Sequence, residues 1–302
     1  MTTEKELAPN TNSDSINYGK FNKRQKSNIS KIILTISFIL LLISLFFYFL
    51  VRINSRPHPY RTVKQQSQLN SISVALELFN SDFNHFPPSE ALDPNGLPYC
   101  GAMKLAEALI GQDLKGFHLD SIFKSDGKDS NGKLLYGTNS PTNYTPSRKG
   151  PYLPIEIADV YCLSEIFKNT EPFDGNNFVL CDTFHRVTNL QTGKNIGMPI
   201  LYYKADTSKK SHDVNDPNNP DNIYNYKDNH ALLALGVPGQ PDKKHPLLED
   251  PTIFDKMTKD YKVTNKNIFT RADYYILLSA GEDSLYGTKD DIVNFPMEWK
   301  PK

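Results

Sequence analysis

Three aspartates near the C-terminus, Asp283, Asp290 and Asp291, stand in a segment punctuated by glycines. A hard cation such as Ca²⁺ prefers carboxylate and backbone carbonyl oxygens that a tight turn brings together. The spacing allows a Ca²⁺ site in which the three aspartates supply side-chain ligands and Leu285 or Tyr286 supplies a carbonyl oxygen. The residue order differs from the alternating pattern of an EF-hand. On spacing alone, an ordinary surface turn rich in Asp and Gly is the better interpretation.

The other polar residues favour a protein that is not an enzyme. The seven histidines are scattered, and the sequence contains no His-Glu-x-x-His pair, no G-x-S-x-G elbow and no phosphate-binding P-loop. Residues 126–131, and residues 213–221 together with His230, contain enough Asp and Asn for a second cation site. Solvated polar loops are the better interpretation of both segments.

Charge and cysteine content limit the possible partners. Lys plus Arg and Asp plus Glu both number 34, so the formal net charge is zero. Nucleic-acid binding depends on clustered cationic side chains, and we therefore expect no nucleic-acid partner. The three cysteines, Cys100, Cys162 and Cys181, cannot all pair within one chain. One disulfide, Cys162–Cys181, and three buried thiols are both open interpretations.

The elements that must position the aspartates can be predicted from periodicity. Apolar residues recur at spacings of three and four from Leu69 to Phe83, which predicts an amphipathic helix that begins near Tyr60 and ends before Pro87. A short helix is predicted over residues 102–110. Apolar runs bounded by turn residues predict strands at 178–181, 199–203 and 274–278. The last of these strands leads into the three aspartates.

An uncharged apolar run covers residues 32–51. About 20 such residues span the roughly 30 Å hydrocarbon core of a bilayer, which predicts an uncleaved transmembrane anchor rather than a buried core helix or a cleaved signal peptide. The predicted organisation is a disordered cytoplasmic tail at 1–29, a transmembrane helix at 30–52 and an extracytoplasmic domain at 53–302. The expected location is a bacterial inner membrane, crossed once, with the C-terminal domain in the periplasm.

Three segments resemble the major pseudopilin of type II secretion systems. The aspartate segment is similar to that family's C-terminal calcium loop. Residues 72–88 (ISVALELFNSDFNHFPP) are similar to the end of its long helix, with matches at 75–77, Asp82 and 86–87, where Phe replaces Tyr. Residues 182–203 are loosely similar to its Asp-Pro-Trp-Gly segment. No glycine directly precedes the apolar run, and Leu34 stands where the family has a glutamate.

The resemblance implies an α+β fold: a transmembrane helix, an amphipathic helix packed on a small antiparallel sheet, and large loop insertions. It also implies a structural or interaction role in type II secretion or a related pilus, with Ca²⁺ stabilising the C-terminal loop. The expected partners are the lipid bilayer and other envelope or secretion-system proteins. The alternative is a membrane-tethered extracytoplasmic binding protein or hydrolase whose site lies in the inserted loops.

Overall fold

The computed structural model describes residues 31, 33–46, 48, 59–137, 147–209, 213, 215–240, 242–259, 271 and 273–297 of the 302-residue chain. The chain divides into two compact units, Met1–Arg56 and Pro57–Lys302. The predicted tail at residues 1–29 lies outside the described residues.

The prediction of an N-terminal transmembrane helix is wrong on this structure. Within the described residues, no helix combines the length and the apolar character that crossing a membrane requires. The predicted single-pass inner-membrane location depended on that helix and is wrong for the same reason.

Helix α1, Pro59–Phe83, is the longest helix of the second unit. Proline suits the first position of a helix because the amide hydrogen it lacks would have no partner there. The stripe of Leu69, Ile72, Leu76 and Phe79 is fully buried. The helix ends where Asn84 adopts a left-handed backbone conformation with φ of +60°, which turns the chain away from the helix axis.

A three-stranded antiparallel sheet in the order β7-β8-β9 carries the C-terminal part of the fold. Strand β7 is Leu201–Lys204, β8 is Tyr275–Ser279 and β9 is Ile292–Val293. Leu201 pairs with Leu278, and Ser279 pairs with Ile292. Every residue of β8 is buried, as expected for a central strand of apolar and aromatic residues. Helix α1 packs against β9.

The remaining elements are short helices and three two-stranded antiparallel sheets. Helix α2, Gly101–Ile110, is buried along its whole length and packs on the strand Phe178–Leu180 and on β7. The paired strands are β1 (Phe117–His118) with β2 (Arg148–Lys149), β3 (Val160–Cys162) with β4 (Phe178–Leu180), and β5 (Val187–Thr188) with β6 (Asn195–Ile196). The short helices are α3 (Ile155–Ala158), α4 (Leu163–Ile166), α5 (His230–Leu233), α6 (Pro246–Glu249) and α7 (Thr252–Thr258), with a 3₁₀ turn at Tyr226–Asn229.

Candidate functional site

The acidic loop, residues 280–291, connects β8 to β9. Two of its glycines permit close approaches that a side chain would block. Gly281 has φ of +68°, and a Cβ there would lie 2.4 Å from the carbonyl oxygen of Asp290. Gly287 has φ of +91°, and its Cβ would lie 2.6 Å from the amide nitrogen of Leu247. The loop therefore folds back on itself at Gly281 and contacts α6 at Gly287.

Asp290 closes the loop by accepting hydrogen bonds from its opposite end. Its Oδ2 accepts from the backbone amides of Glu282, at 2.7 Å, and Asp283, at 3.0 Å. Its Oδ1 accepts from the Thr288 hydroxyl at 2.6 Å. These bonds involve a carboxylate and are stronger than bonds between neutral groups. Asp290 therefore acts as an internal clamp in this structure.

Asp291 is the buried carboxyl group of the acidic loop, with 4% of its surface exposed. Its Oδ2 accepts from the Gly287 amide at 2.7 Å. Its Oδ1 is buried and has no hydrogen-bond partner among the described residues. Burial raises the pKa of Asp291 well above its ordinary value, and the nearby charges of Asp290 and Asp283 add to that effect. Burial therefore favours the neutral, protonated carboxyl group of Asp291 over a carboxylate whose Oδ1 has no partner among the described residues.

Asp283 and Leu285 lie on the outer side of the loop. Oδ1 of Asp283 accepts from the Leu285 amide at 2.8 Å, and the pKa of Asp283 is raised by burial and by Asp290. The carbonyl oxygen of Leu285 is a second, weaker acceptor for the Thr288 hydroxyl at 3.4 Å, because that hydroxyl donates its one proton mainly to Asp290 at 2.6 Å. Within the described part of the chain, no group of three or more His, Cys, Asp and Glu side chains is arranged to hold a metal ion. The predicted Ca²⁺ ligands thus share one loop without forming a ready-made cage.

Contacts from distant parts of the sequence fix the position of the acidic loop. Glu282 forms ion pairs with Arg61 of α1, at 3.1 Å, and with Arg186. The Tyr286 hydroxyl donates to the carbonyl oxygen of Pro199, and the Tyr286 amide donates to Nδ1 of His245 at 3.3 Å. Burial lowers the pKa of His245 to about 4, so that the ring is neutral and accepts this bond at neutral pH.

Asp182 is a buried carboxyl group that residue patterns did not single out. Its Oδ1 accepts from the amides of Phe184, at 3.2 Å, and Met198, at 3.3 Å, and its Oδ2 accepts from the Ser279 hydroxyl at 3.1 Å. Burial raises the pKa of Asp182 to about 7, against the lowering effect of these bonds. Asp182 thus contacts Ser279, the last residue of β8 before the acidic loop. The only signal in the sequence was its place at the start of the pseudopilin-like segment.

A second buried carboxyl group, Glu107, organises α2 and the chain that follows it. Its two oxygens accept hydrogen bonds from four side chains. These are Tyr99, Gln112, Ser121 and Tyr136. Burial raises the pKa of Glu107, and the donors oppose that rise. The signal in the sequence was a single acidic residue in a predicted helix whose only other charged residue is Lys104.

The other acidic segments form local turns where the structure describes them. Asp129 Oδ1 accepts from the amides of Asn131, at 2.8 Å, and Lys133, at 2.9 Å. Asp216 accepts from the amide of Asn218 at 3.1 Å. These are side-chain-to-backbone turns, in which an aspartate satisfies amides two to four residues ahead. They agree with the interpretation of both segments as polar loops.

The three cysteines are free thiols in this structure. Cys162 lies in β3, and its amide donates to Glu165 at 2.8 Å. Burial raises the pKa of both Cys100 and Cys162 to about 11, so that neither is a thiolate at neutral pH. Of the two open interpretations, the structure agrees with unpaired thiols.

Comparison with protein-family models, with curated proteins and with solved structures finds no match for this chain. The geometry of its own residues therefore carries the functional argument.

Proposed function

We propose that this chain is a pseudopilin-like structural or interaction protein whose acidic loop is stabilised by Ca²⁺. The observation that carries the proposal is the buried, unpartnered Oδ1 of Asp291, which lies in a loop with two further carboxylates. A buried carboxylate is tolerated when it is paired or bound to a cation. Ca²⁺ adds to this the ability to accept several oxygen ligands in a flexible arrangement.

The loop must rearrange locally to take the ion. Asp291 offers its free oxygen, while Asp290 and Asp283 must exchange backbone amides for the cation. The Leu285 carbonyl needs to give up only the long bond from Thr288. Repulsion among the three carboxylates then becomes attraction to one cation, which supplies the free energy for the change.

Several features support a structural role over a catalytic one. The ligands are carboxylates and carbonyls in a short hairpin loop, which hold a shape rather than transform a substrate. The loop is tied to α1 through Glu282 and Arg61, so that ordering it also fixes the surface next to the long helix. A long helix packed on a small antiparallel sheet with a C-terminal hairpin is the arrangement that the pseudopilin resemblance implies. The proposed partners are secretion-system or pilus-type proteins.

A thermal melt of the full chain tests the cation. At a Ca²⁺ concentration of about 100 times Kd, binding to the folded form adds about 2.7 kcal/mol, which raises Tm by roughly 5–10 °C for a domain of this size. The chelated protein is the reference. Asp291→Asn should abolish the Ca²⁺ effect, whereas Asp273→Asn, which changes an exposed aspartate outside the loop, should leave it intact. An equal Tm with Ca²⁺ and with chelator contradicts the proposal.

Photo-crosslinking in the native cell tests the partner. A crosslinking residue at Lys289, an exposed position of the acidic loop, should capture secretion-system or pilus-type proteins in the presence of Ca²⁺. Capture of unrelated proteins alone, or a pattern that chelation leaves unchanged, contradicts the proposed role even where the melt detects a cation.

A further inference from the structure

A cavity of about 350 Å³ lies where the end of α1 meets the segment around β1. This volume falls within the roughly 300–1,000 Å³ range of small-molecule sites. Its wall is mainly aromatic and aliphatic, with contributions from Phe83, Phe86, Phe117, Leu119, Ile122 and Phe123. None of these residues belongs to the acidic loop.

The floor of the cavity consists of buried aromatic rings that pack on one another. Phe117 and Phe123 are 3% and 6% exposed, and their ring centroids lie 5.1 Å apart. Phe83 packs edge-on against Phe117 at 5.2 Å, an arrangement that aromatic quadrupoles favour. The rim differs, because Leu119 and Ile122 are 44% and 40% exposed. A hydrophobic ligand in the cavity would cover these exposed apolar side chains at its mouth.

The ionisable groups that line this cavity are basic. Lys204, at the end of β7, and His85, just after α1, line it, and no described carboxylate does. Behind the wall, Glu107 accepts hydrogen bonds from Ser121 and from three other donors. Lys204 also lines a neighbouring polar cavity, together with three acidic residues, Glu90, Asp206 and Asp228. An anionic group at the mouth would therefore meet a lysine without an opposing carboxylate in the same cavity.

We propose that the cavity binds a small monocarboxylic acid, with its alkyl chain or aromatic ring against the phenylalanines and its carboxylate at Lys204. Transfer of the hydrocarbon part from water into the cavity is favourable. Attraction between the carboxylate and Lys204 orients the ligand with its charged end towards the lysine. Each methylene added to the chain should tighten binding about fourfold until the cavity is filled. This proposal is independent of Ca²⁺ and of the acidic loop.

Calorimetry on the full chain tests it with hexanoate, octanoate, decanoate and 3-phenylpropionate. Octylamine and octanol have the same chain length as octanoate, but octylamine is a cation and octanol is neutral. Octanoate should bind more tightly than hexanoate and far more tightly than octylamine. Lys204→Met should weaken octanoate at least tenfold and leave octanol unchanged, which separates the charge from the chain.

Rim variants test the location. Ile122→Ser should weaken octanoate about tenfold or more, while Leu190→Ser, which changes another exposed apolar residue in a different part of the domain, should not. Melting curves of each variant confirm that it is folded. Affinity that does not depend on chain length, octylamine binding equal to octanoate binding, or equal loss in Leu190→Ser overturns the proposal. Octanoate binding that Lys204→Met leaves unchanged overturns the assignment of the carboxylate.

Discussion

Replacing Asp182 by Asn should change how the stability of the protein depends on pH. Burial raises the pKa of Asp182 from its ordinary value near 3.8 to about 7, so that the folded state binds a proton which the unfolded state releases. The stabilising contribution is fully present below pH 3.8 and is lost as the pH rises through about 7. The difference between the two pKa values corresponds to about 4 kcal/mol over the whole window.

Asparagine is a suitable probe because it can keep all three contacts of Asp182. Its carbonyl oxygen can accept from the amides of Phe184 and Met198, and its amide can donate to the Ser279 hydroxyl. Since asparagine does not titrate, the variant should lose no stability through this site as the pH rises. The free energy of unfolding of the variant relative to wild type should therefore increase by about 3 kcal/mol between about pH 4.5 and about pH 8.

Urea unfolding of wild type and Asp182→Asn at several pH values measures this difference. Buried histidines such as His245, whose pKa is lowered, affect both proteins equally and cancel in the comparison. Asp273→Asn, at an exposed position, should follow the wild-type curve. Parallel pH profiles for wild type and Asp182→Asn would refute the reasoning, because they would mean that Asp182 is ionised in the folded protein across this range.

Two further substitutions test single contacts. Gly281→Ala should destabilise the protein by about 2 kcal/mol more than Gly132→Ala in urea unfolding, because both glycines have positive φ but only the Cβ at Gly281 meets the backbone of Asp290; equal losses would mean that backbone strain alone matters. Glu107→Gln should cost about 1–3 kcal/mol in the same assay, because the new amide nitrogen cannot accept from the donors that now bond that oxygen; an unchanged midpoint would contradict the network.

Local periodicity was sufficient to locate the main elements. The stripe from Leu69 to Phe83 predicted α1 because a helix repeats every 3.6 residues, and the structure buries that stripe as far as Phe79 and partly buries Phe83. The run at 274–278 predicted β8 to within one residue. Local periodicity did not predict which strands pair. The partner of Phe178 in β4 is Cys162 in β3, a strand too short and too weakly patterned to be recognised in the sequence.

The candidate site was only partly predictable for a related reason. The three aspartates and the two glycines were visible as a segment, but their roles depend on backbone geometry that spacing does not encode. Asp182 reaches Ser279 across 97 positions of sequence, and Tyr286 reaches Pro199 across 87. Contacts at such separation arise from the whole packing. The apolar run at 32–51 shows the opposite failure, since hydropathy alone predicted a span that the described helical residues do not support.

The three aspartates of the acidic loop differ in what depends on them. Asp283 is exposed and interacts within the loop, with the amide of Leu285 and with the side chains of Thr288 and Asp290, so that its loss would act locally. Asp291 accepts a hydrogen bond from the amide of Gly287, the glycine that lies close to the backbone of Leu247. Tyr286 directly precedes Gly287 and contacts both Pro199 and His245. A change in the charge of Asp291 therefore acts on the part of the loop that touches three other segments. Because Oδ1 has no partner among the described residues, gain or loss of charge on this carboxyl group should change how firmly the loop is held against those segments.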